Sequence, residues 1–357
     1  MFLLRNVTTQ DIDGLLALAE MLNTLNLPYH RPSLEQQIQH SIDSFTETIT
    51  DPRKREYLFV AEDLSSGKIV GTSMVIAQHG TKESPHLYFE VIEDQRYSST
   101  LDKHFHHLIL RLGRNFDGPT EIGGLILHPQ YRAGAYKLGK QLSFVRFLFI
   151  GMHKKWFRKK LLAELLPPLL EDGTSLLWEH LGRHFTGLDY RQADYISRTN
   201  KEFIISLFPS GDMYASLLPS HVQAVIGAVG DSTQGVKKML ESVGFEYSQR
   251  IDPFDGGPHF EIDTHQLKLF AHTKKLEARI SIEDVDCMLL PPSHLVGVFD
   301  HQHTIPMRAC ACRPQLLEHQ VLLSSKVASV LQLSPKQRVF VMPLEIPQEI
   351  QLDPLAV

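Results

Sequence analysis

Three cysteines in 357 residues, Cys287, Cys310 and Cys312, are too few and too clustered for a disulfide framework, and they point to a reducing compartment, the cytoplasm. Positive charge is not in excess either. The 36 Lys+Arg stand against 41 Asp+Glu, a formal net charge of −5, which excludes the broad basic footprint of a protein that binds nucleic acid without sequence preference. Long apolar runs are missing. The best stretch, Phe144 to Met152, is broken by Arg146 and falls short of the roughly 18 residues a membrane span needs, so no membrane association is expected. Met1-Phe-Leu-Leu-Arg5 passes directly into polar residues rather than into the apolar region of a secretion signal. No long repeat and no low-complexity tract is visible, which disfavours repeat architectures. What the chain does have is length for about two domains, enough apolar residues for a sizeable core, and 19 histidines.

Periodicity organises the first 80 residues. Phe2 to Arg5 is a short strand. Asp11 to Leu25 is a helix whose stripe is Leu15, Leu18, Ala19 and Leu22. Glu56 to Glu62 and Lys68 to Ile76 are strands joined by the polar turn Asp63-Leu-Ser-Ser-Gly67. Residues 77–120 carry a weak signal, with His104, His106 and His107 placed on a surface helix. Glu121-Ile-Gly-Gly-Leu-Ile-Leu127 is a strand whose two glycines mark a bulge or a close backbone approach. Leu138 to Met152 is a helix with Leu138, Leu142, Val145, Phe149 and Met152 on one stripe and Lys140, Gln141, Ser143 and Arg146 elsewhere. Leu161 to Leu166 is a strand closed by Pro167-Pro168, and Val236 to Val243 is a helix ended by Gly244, with a strand from Phe245 after it. Near residue 265 the texture changes to short strands, such as the alternating Leu276, Ala278, Ile280 and Ile282, then Val321 to Ser324 and Val339 to Met342, with a short helix Ser325 to Leu331. The expected division is therefore 1–265 and a small β-rich domain at 270–357.

The strand at Glu121, the glycine-bearing loop through Arg132-Ala-Gly134 and Lys137-Leu-Gly139-Lys140, the helix and the strand at Leu161 form one unit. Glycines at a strand-to-helix turn let backbone N–H groups face a ligand, and the positive end of the helix favours an anion such as a pyrophosphate. An ordinary tight turn has the same residues. A P-loop is excluded, because Gln141 stands where Ser or Thr would follow Gly-Lys. With a Gly-Gly bulge beside it, the unit suggests an α+β acyl-CoA N-acyltransferase (GNAT-like) fold, in which the bulged strand offers an N–H to a thioester carbonyl.

Tyr57 to Gly67, Glu121 to Pro129, Tyr131 to Gly134, Gly139 to Ser143, Trp178 to Phe185, Ala193 to Ile196, Val225-Ile-Gly227, Leu240 to Phe245 and Phe254-Asp-Gly-Gly-Pro258 resemble the arginine N-succinyltransferases, colinearly and with nearly gapless spacing over 121–262. The resemblance implies transfer of succinyl from succinyl-CoA to the α-amino group of L-arginine in a cytoplasmic enzyme of arginine catabolism. Acyl-CoA would be a co-substrate and not a resident cofactor. Leu125 falls on the family's succinyl-CoA position, through its backbone, and Leu127, Arg132, Gly134, Gly139 and Lys140 complete the implied CoA contacts. A homo-oligomer is compatible with such a family.

The departures fall where chemistry belongs. Family members carry Val-His-Pro after the Val-Ile-Gly turn, and that histidine is regarded as the proton donor; here Gly230 holds the position. Ala163-Glu-Leu-Leu-Pro167 replaces Ala-Glu-Met-Arg-Gly, and the glycine loop is two residues longer. Amine acylation needs an acceptor for the ammonium proton, and Glu121 and Glu164, on strands beside the thioester position, are the candidates. His259, where the family has Thr, is the candidate replacement acid or base, whereas His184 belongs to a scaffold motif and reads as structural. Two other readings stay open: the same chemistry on another amine or acyl-CoA, and a non-catalytic homologue that binds CoA or an amino acid.

No metal site is expected. His301-x-His303 with Cys310-x-Cys312 lacks a metal-clamp spacing, and alternation along a buried strand explains both cysteines. The run His153-Lys-Lys-Trp-Phe-Arg-Lys-Lys160 reads as the cationic end of a helix rather than a nucleic-acid patch, with capture of the CoA 3′-phosphate as a third use.

Overall fold

In the computed structural model, which describes residues 1–22, 27–82, 84–132, 134, 136–197, 200–281 and 291–347, the chain is a mixed α+β protein, as expected. Residues 23–25 of the first expected helix, Ala133 of the glycine loop, Ile282 and Cys287 lie outside the described residues. Two compact units interleave in sequence: 1–75, 124–156 and 267–357 form one, and 76–123 with 157–266 the other. In chain order the strands are β1 (Phe2–Asn6), β2 (Glu56–Asp63), β3 (Lys68–Ile76), β4 (His86–Ser98), β5 (Lys103–Asn115), β6 (Thr120–Leu127), β7 (Lys160–Glu164), β8 (Met213–Tyr214), β9 (Glu246–Ile251), β10 (Pro258–Asp263), β11 (Lys274–Ser281), β12 (His294–Phe299), β13 (Met307–Cys312), β14 (Gln315–Leu316), β15 (Gln320–Ser324) and β16 (Arg338–Pro343).

In the first unit the strand order is β14-β15-β11-β16-β12-β13-β1-β2-β3, continued by the end of β6. β1 is antiparallel to β2 on one side and to β13 on the other, with Leu4 opposite Ala61 and Ala309. The strands after residue 270 therefore share a sheet with the N-terminus, because β1 needs a partner on its second edge. They also carry their own apolar cluster, in which Cys310 and Cys312 sit together as strand alternation requires. The helix Ile12–Leu22 buries Leu15, Leu18 and Ala19 against Leu34 and Ile38 of the helix Arg31–Phe45.

The helix Leu138–Met152 has the bounds its apolar stripe predicts, but its polar residues correct the expected face. Gln141, Ser143 and Arg146 are buried along with the stripe. The helix is enclosed rather than surface-lying, so its polar groups are satisfied internally: Arg146 donates to the Ser143 carbonyl at 3.1 Å and to Ser143 Oγ at 2.6 Å. Burial pushes the Arg146 guanidinium down to about 9.

The second unit has the order β6-β7-β10-β9-β4-β5-β8, using the start of β6. β4 and β5 form a hairpin paired from His86↔Asn115 to Ser98↔Lys103. His104, His106 and His107 are thus on a strand and not on a helix. The expectation fails because Lys103 to His106 are exposed on both faces, so no apolar alternation marks the strand. The core of this unit centres on Trp178, which stacks on Phe254 at 5.0 Å.

Candidate active site

Chemistry concentrates in two places, one in each unit. In the first unit, β6 ends beside β3, where the Val70 carbonyl accepts from His128 N at 2.8 Å and Thr72 Oγ1 donates to the Gly124 carbonyl at 3.0 Å. Gly124 is in the left-handed region at φ +56°, which supports the irregularity expected of the glycine pair. Leu125 is half-buried and Leu127 buried. Arg132 turns back so that its Nε donates to the Leu127 carbonyl at 2.9 Å, tying the loop to the strand end.

The loop then enters the helix through Lys137 at φ 48°, with Lys137 N on the Gly134 carbonyl at 3.0 Å. A Cβ at Gly134 would meet nothing within 4 Å, so packing alone does not demand a glycine there. Lys137 pairs with Glu345 at 2.8 Å. Burial lowers Lys140, whose Nζ lies 5.3 Å from the Phe144 ring centroid. At the helix start Lys140 N and Gln141 N both donate to the Lys137 carbonyl, at 2.9 and 3.2 Å.

In the second unit the structure brings all three candidate acid–base residues into one cluster. Glu164, at the end of β7, faces His259 of β10 across an antiparallel pair, with Oε1 3.4 Å from His259 Nε2. Glu121 lies on β6, where it pairs with Leu162 of β7. Two further histidines complete the group. His79 Nδ1 is 2.7 Å from Glu121 Oε2, and His86 Nε2 is 3.3 Å from Glu164 Oε1. The His86 ring meets that of His79 edge-on at 4.5 Å and stacks on that of His259 at 5.3 Å. Sequence reasoning misses His79 and His86 because they fall in the segment without periodicity; the only available signal is that both bracket the turn around Gly80.

The local chain explains the convergence. Gly118 and Gly80 let segments 77–80 and 115–119 touch: a Cβ at Gly118 would lie 1.9 Å from the His79 carbonyl oxygen, and one at Gly80 would lie 2.6 Å from that of Asn115. On the other side, Gly257 admits the end of β7, since a Cβ there would lie 2.3 Å from the Leu165 carbonyl oxygen. Asp252 caps this turn by accepting from Phe254 N at 2.7 Å and Asp255 N at 3.2 Å, and Asp255 accepts from Gly257 N at 2.7 Å.

Charge in the cluster is sorted by burial and neighbours. Burial pushes His259 down to about 4 against the pull of Glu164, and it lowers His86 as well. For His79, burial is outweighed by Glu121 and Glu164, which raise it. Burial also works against Glu164, yet the surrounding histidines, His259 first, hold it well below the carboxylate range. Burial and the Glu164 charge push Asp252 up to about 7, and burial with Asp252 raises Asp255 well above its ordinary value.

The remaining candidates are elsewhere. His184 is exposed on the short helix Arg183–Thr186, not held in a core. His303 is engaged by Ile305 and Gln332, and His301 lies 3.5 Å from Glu47, while burial pushes the Cys310 thiol up to about 12. Part of the basic run is engaged locally: His153 stacks on Trp156 at 3.9 Å, Lys154 covers Phe270, Arg158 pairs with Asp117 and Lys160 with Glu261. Gly230 donates to the Leu166 carbonyl at 2.9 Å, and a Cβ there would lie 2.7 Å from the Pro167 carbonyl oxygen.

A strand interrupted by a left-handed glycine that leads through a glycine loop and an enclosed helix into a parallel neighbour defines an acyl-CoA N-acyltransferase. The model of the arginine N-succinyltransferase beta subunit family matches residues 2–269. An arginine N-succinyltransferase of Yersinia pestis is 30% identical over 351 residues, 98% of this chain and 99% of its own length. The arginine N-succinyltransferase subunit beta of Pseudomonas aeruginosa is 34% identical over 278 residues, 77% of this chain and 80% of its own. The solved arginine/ornithine succinyltransferase subunit AI from Pseudomonas aeruginosa superposes with a TM-score of 0.81 at 24% identity, covering 96% of this chain and 99% of that one. The chain belongs to the arginine N-succinyltransferase family.

Proposed function

We propose that this protein transfers the succinyl group of succinyl-CoA to the α-amino group of L-arginine. The observation that carries this reading is colinearity with arginine N-succinyltransferases over 98% of the chain. The amine nitrogen attacks the thioester carbonyl carbon and forms the C–N bond, the C–S bond breaks, and CoA leaves as a thiolate that takes up the proton the acylated nitrogen gives up. Leu125 offers its backbone to the thioester carbonyl, and the first helix amides, that of Gly139 among them, with Lys140 and the Arg132–Gly134 loop, hold the CoA pyrophosphate.

Before attack, the ammonium must lose a proton. Glu121 accepts it, with His79 at 2.7 Å to share it. Glu164, oriented by His259, stays charged and offers a fixed anion to the incoming ammonium. With Gly230 unable to move a proton, these residues replace the family's histidine.

A second reading, the same chemistry on a related amine, is favoured by Leu166-Pro167, which lacks the guanidinium the family carries there. Thiol release from succinyl-CoA, measured with L-arginine and with a panel of amines, separates the two. Release with L-arginine supports the first reading. Release only with another amine moves the assignment to the second, and CoA-dependent thermal stabilisation without turnover under any pairing rejects both in favour of a binding protein.

A further inference from the structure

The geometry points to a divalent transition-metal site formed by His79, His86 and Glu164. One ligand atom from each of the three lies within 4.8 Å of the other two. Two neutral-capable imidazoles and one carboxylate are the donor set that Zn2+ and its neighbours in the first transition row take.

Three observations separate this group from an ordinary buried polar cluster. First, neither ring nitrogen of His86 has a hydrogen-bond partner, although the residue is 1% exposed; buried polar atoms are otherwise nearly always paired. Second, the spacing of the His86–Glu164 pair is long for a hydrogen bond and matches that of two ligands on a shared ion. An N–H···O bond centres near about 2.9 Å, whereas His86 Nε2 and Glu164 Oε1 are 3.3 Å apart. Two donors each about 2.0–2.1 Å from a tetrahedral ion sit roughly 3.3–3.4 Å from one another. Third, the supporting contact is in place. His79 holds Glu121 through Nδ1 at 2.7 Å, the carboxylate–histidine pairing that orients a metal-bound imidazole and leaves the lone pair on Nε2.

Glu164 also belongs to a second such set, with Asp252 and His259. The first set is preferred because it offers two imidazoles, one of them already held by Glu121, whereas Asp252 commits Oδ1 to capping its own turn. The site stands independently of the succinyl-transfer reading. If both hold, the metal takes up the Glu164 charge and Glu121 remains the proton acceptor.

The test is titration of the full-length, tag-free, chelator-treated protein with Co2+, followed by visible absorption and by competition with Zn2+, in the absence of any substrate. One equivalent of bound Co2+ with ligand-field bands, displaced by Zn2+, is expected. His86→Ala and Glu164→Gln should each weaken binding at least tenfold, Glu121→Gln should weaken it less, and the exposed His184→Ala should leave it unchanged. Should His86→Ala fail to fold, Glu164→Gln, which keeps the side-chain shape, decides alone. Absence of a one-equivalent site in the unaltered protein, or binding that survives Glu164→Gln and falls with His184→Ala, overturns the proposal. Thiol release is measured separately, so a protein that binds Co2+ without turnover rejects the succinyl-transfer reading and not the metal site.

Discussion

His259 is fully buried, and the Glu164 carboxylate beside it does not overcome the loss of solvent that pushes the ring down to about 4. Between pH 6.5 and 4 the unfolded chain binds a proton on this ring that the folded chain refuses. Folding is therefore penalised increasingly as pH falls through that window, by up to ~3 kcal/mol, and the penalty is absent above it. His259→Gln, which cannot titrate, should show a shallower fall in melting temperature from pH 7 to 4.5 than the unaltered protein. Parallel curves would refute the argument. At this scale the sequence is informative about which residues are chemical but not about which meet. Glu121, Glu164 and His259 are recognisable because each lies on a strand or turn with a readable pattern. His79 and His86 are not, because the glycine contacts that bring segments 77–80 and 115–119 together leave no periodic trace. Gly230 is the opposite case: its identity is plain in the sequence, but the reason no side chain fits there, the Pro167 carbonyl, is visible only in three dimensions.

At the scale of elements, the strongest reading concerns β6 and the helix that follows it. The bounds of Leu138–Met152 follow from its stripe and from the loop before it, whereas the burial of its polar side depends on what surrounds the helix and has no signature in its own residues. The β7–β10 pair carries Glu164 and His259 in direct register, and its end is closed by the Asp252–Gly257 turn. Gly256 is left-handed at φ +83°, but Gly257 matters for another reason, the approach of the Leu165 carbonyl. Gly257→Ala should push these strand ends apart and cost about 1–3 kcal/mol, as overpacking of a tight contact does. Denaturant unfolding measures this; an unchanged midpoint would mean the turn yields without loss.

For the whole molecule, the sequence shows a change of texture near residue 265, while the compact units are built from interleaved segments, 1–75, 124–156 and 267–357 in one and 76–123 with 157–266 in the other. What composition does not reveal is that the residues beyond 265 join the N-terminal strands, since β-pairing between residues three hundred positions apart has no local mark. Among the described residues no helix is long and apolar enough to cross a membrane. The β1–β13 pairing makes a specific demand. A chain ended at residue 266 would leave one edge of β1 open and expose apolar residues now covered. Such a truncation should give aggregated protein or protein without a cooperative melt, checked by gel filtration and circular dichroism; a soluble, cooperatively melting fragment would show that the first unit does not need its C-terminal strands.

The contact between Gly230 and Pro167 also constrains the mutational routes open to this chain. The segment 166–167 and residue 230 touch each other, with the Gly230 amide on the Leu166 carbonyl and its Cα against Pro167. Changes at the two places are therefore coupled. A side chain cannot enter at 230 until the backbone at 166–167 has moved away, so what position 230 tolerates is set by residues more than sixty positions earlier in the chain.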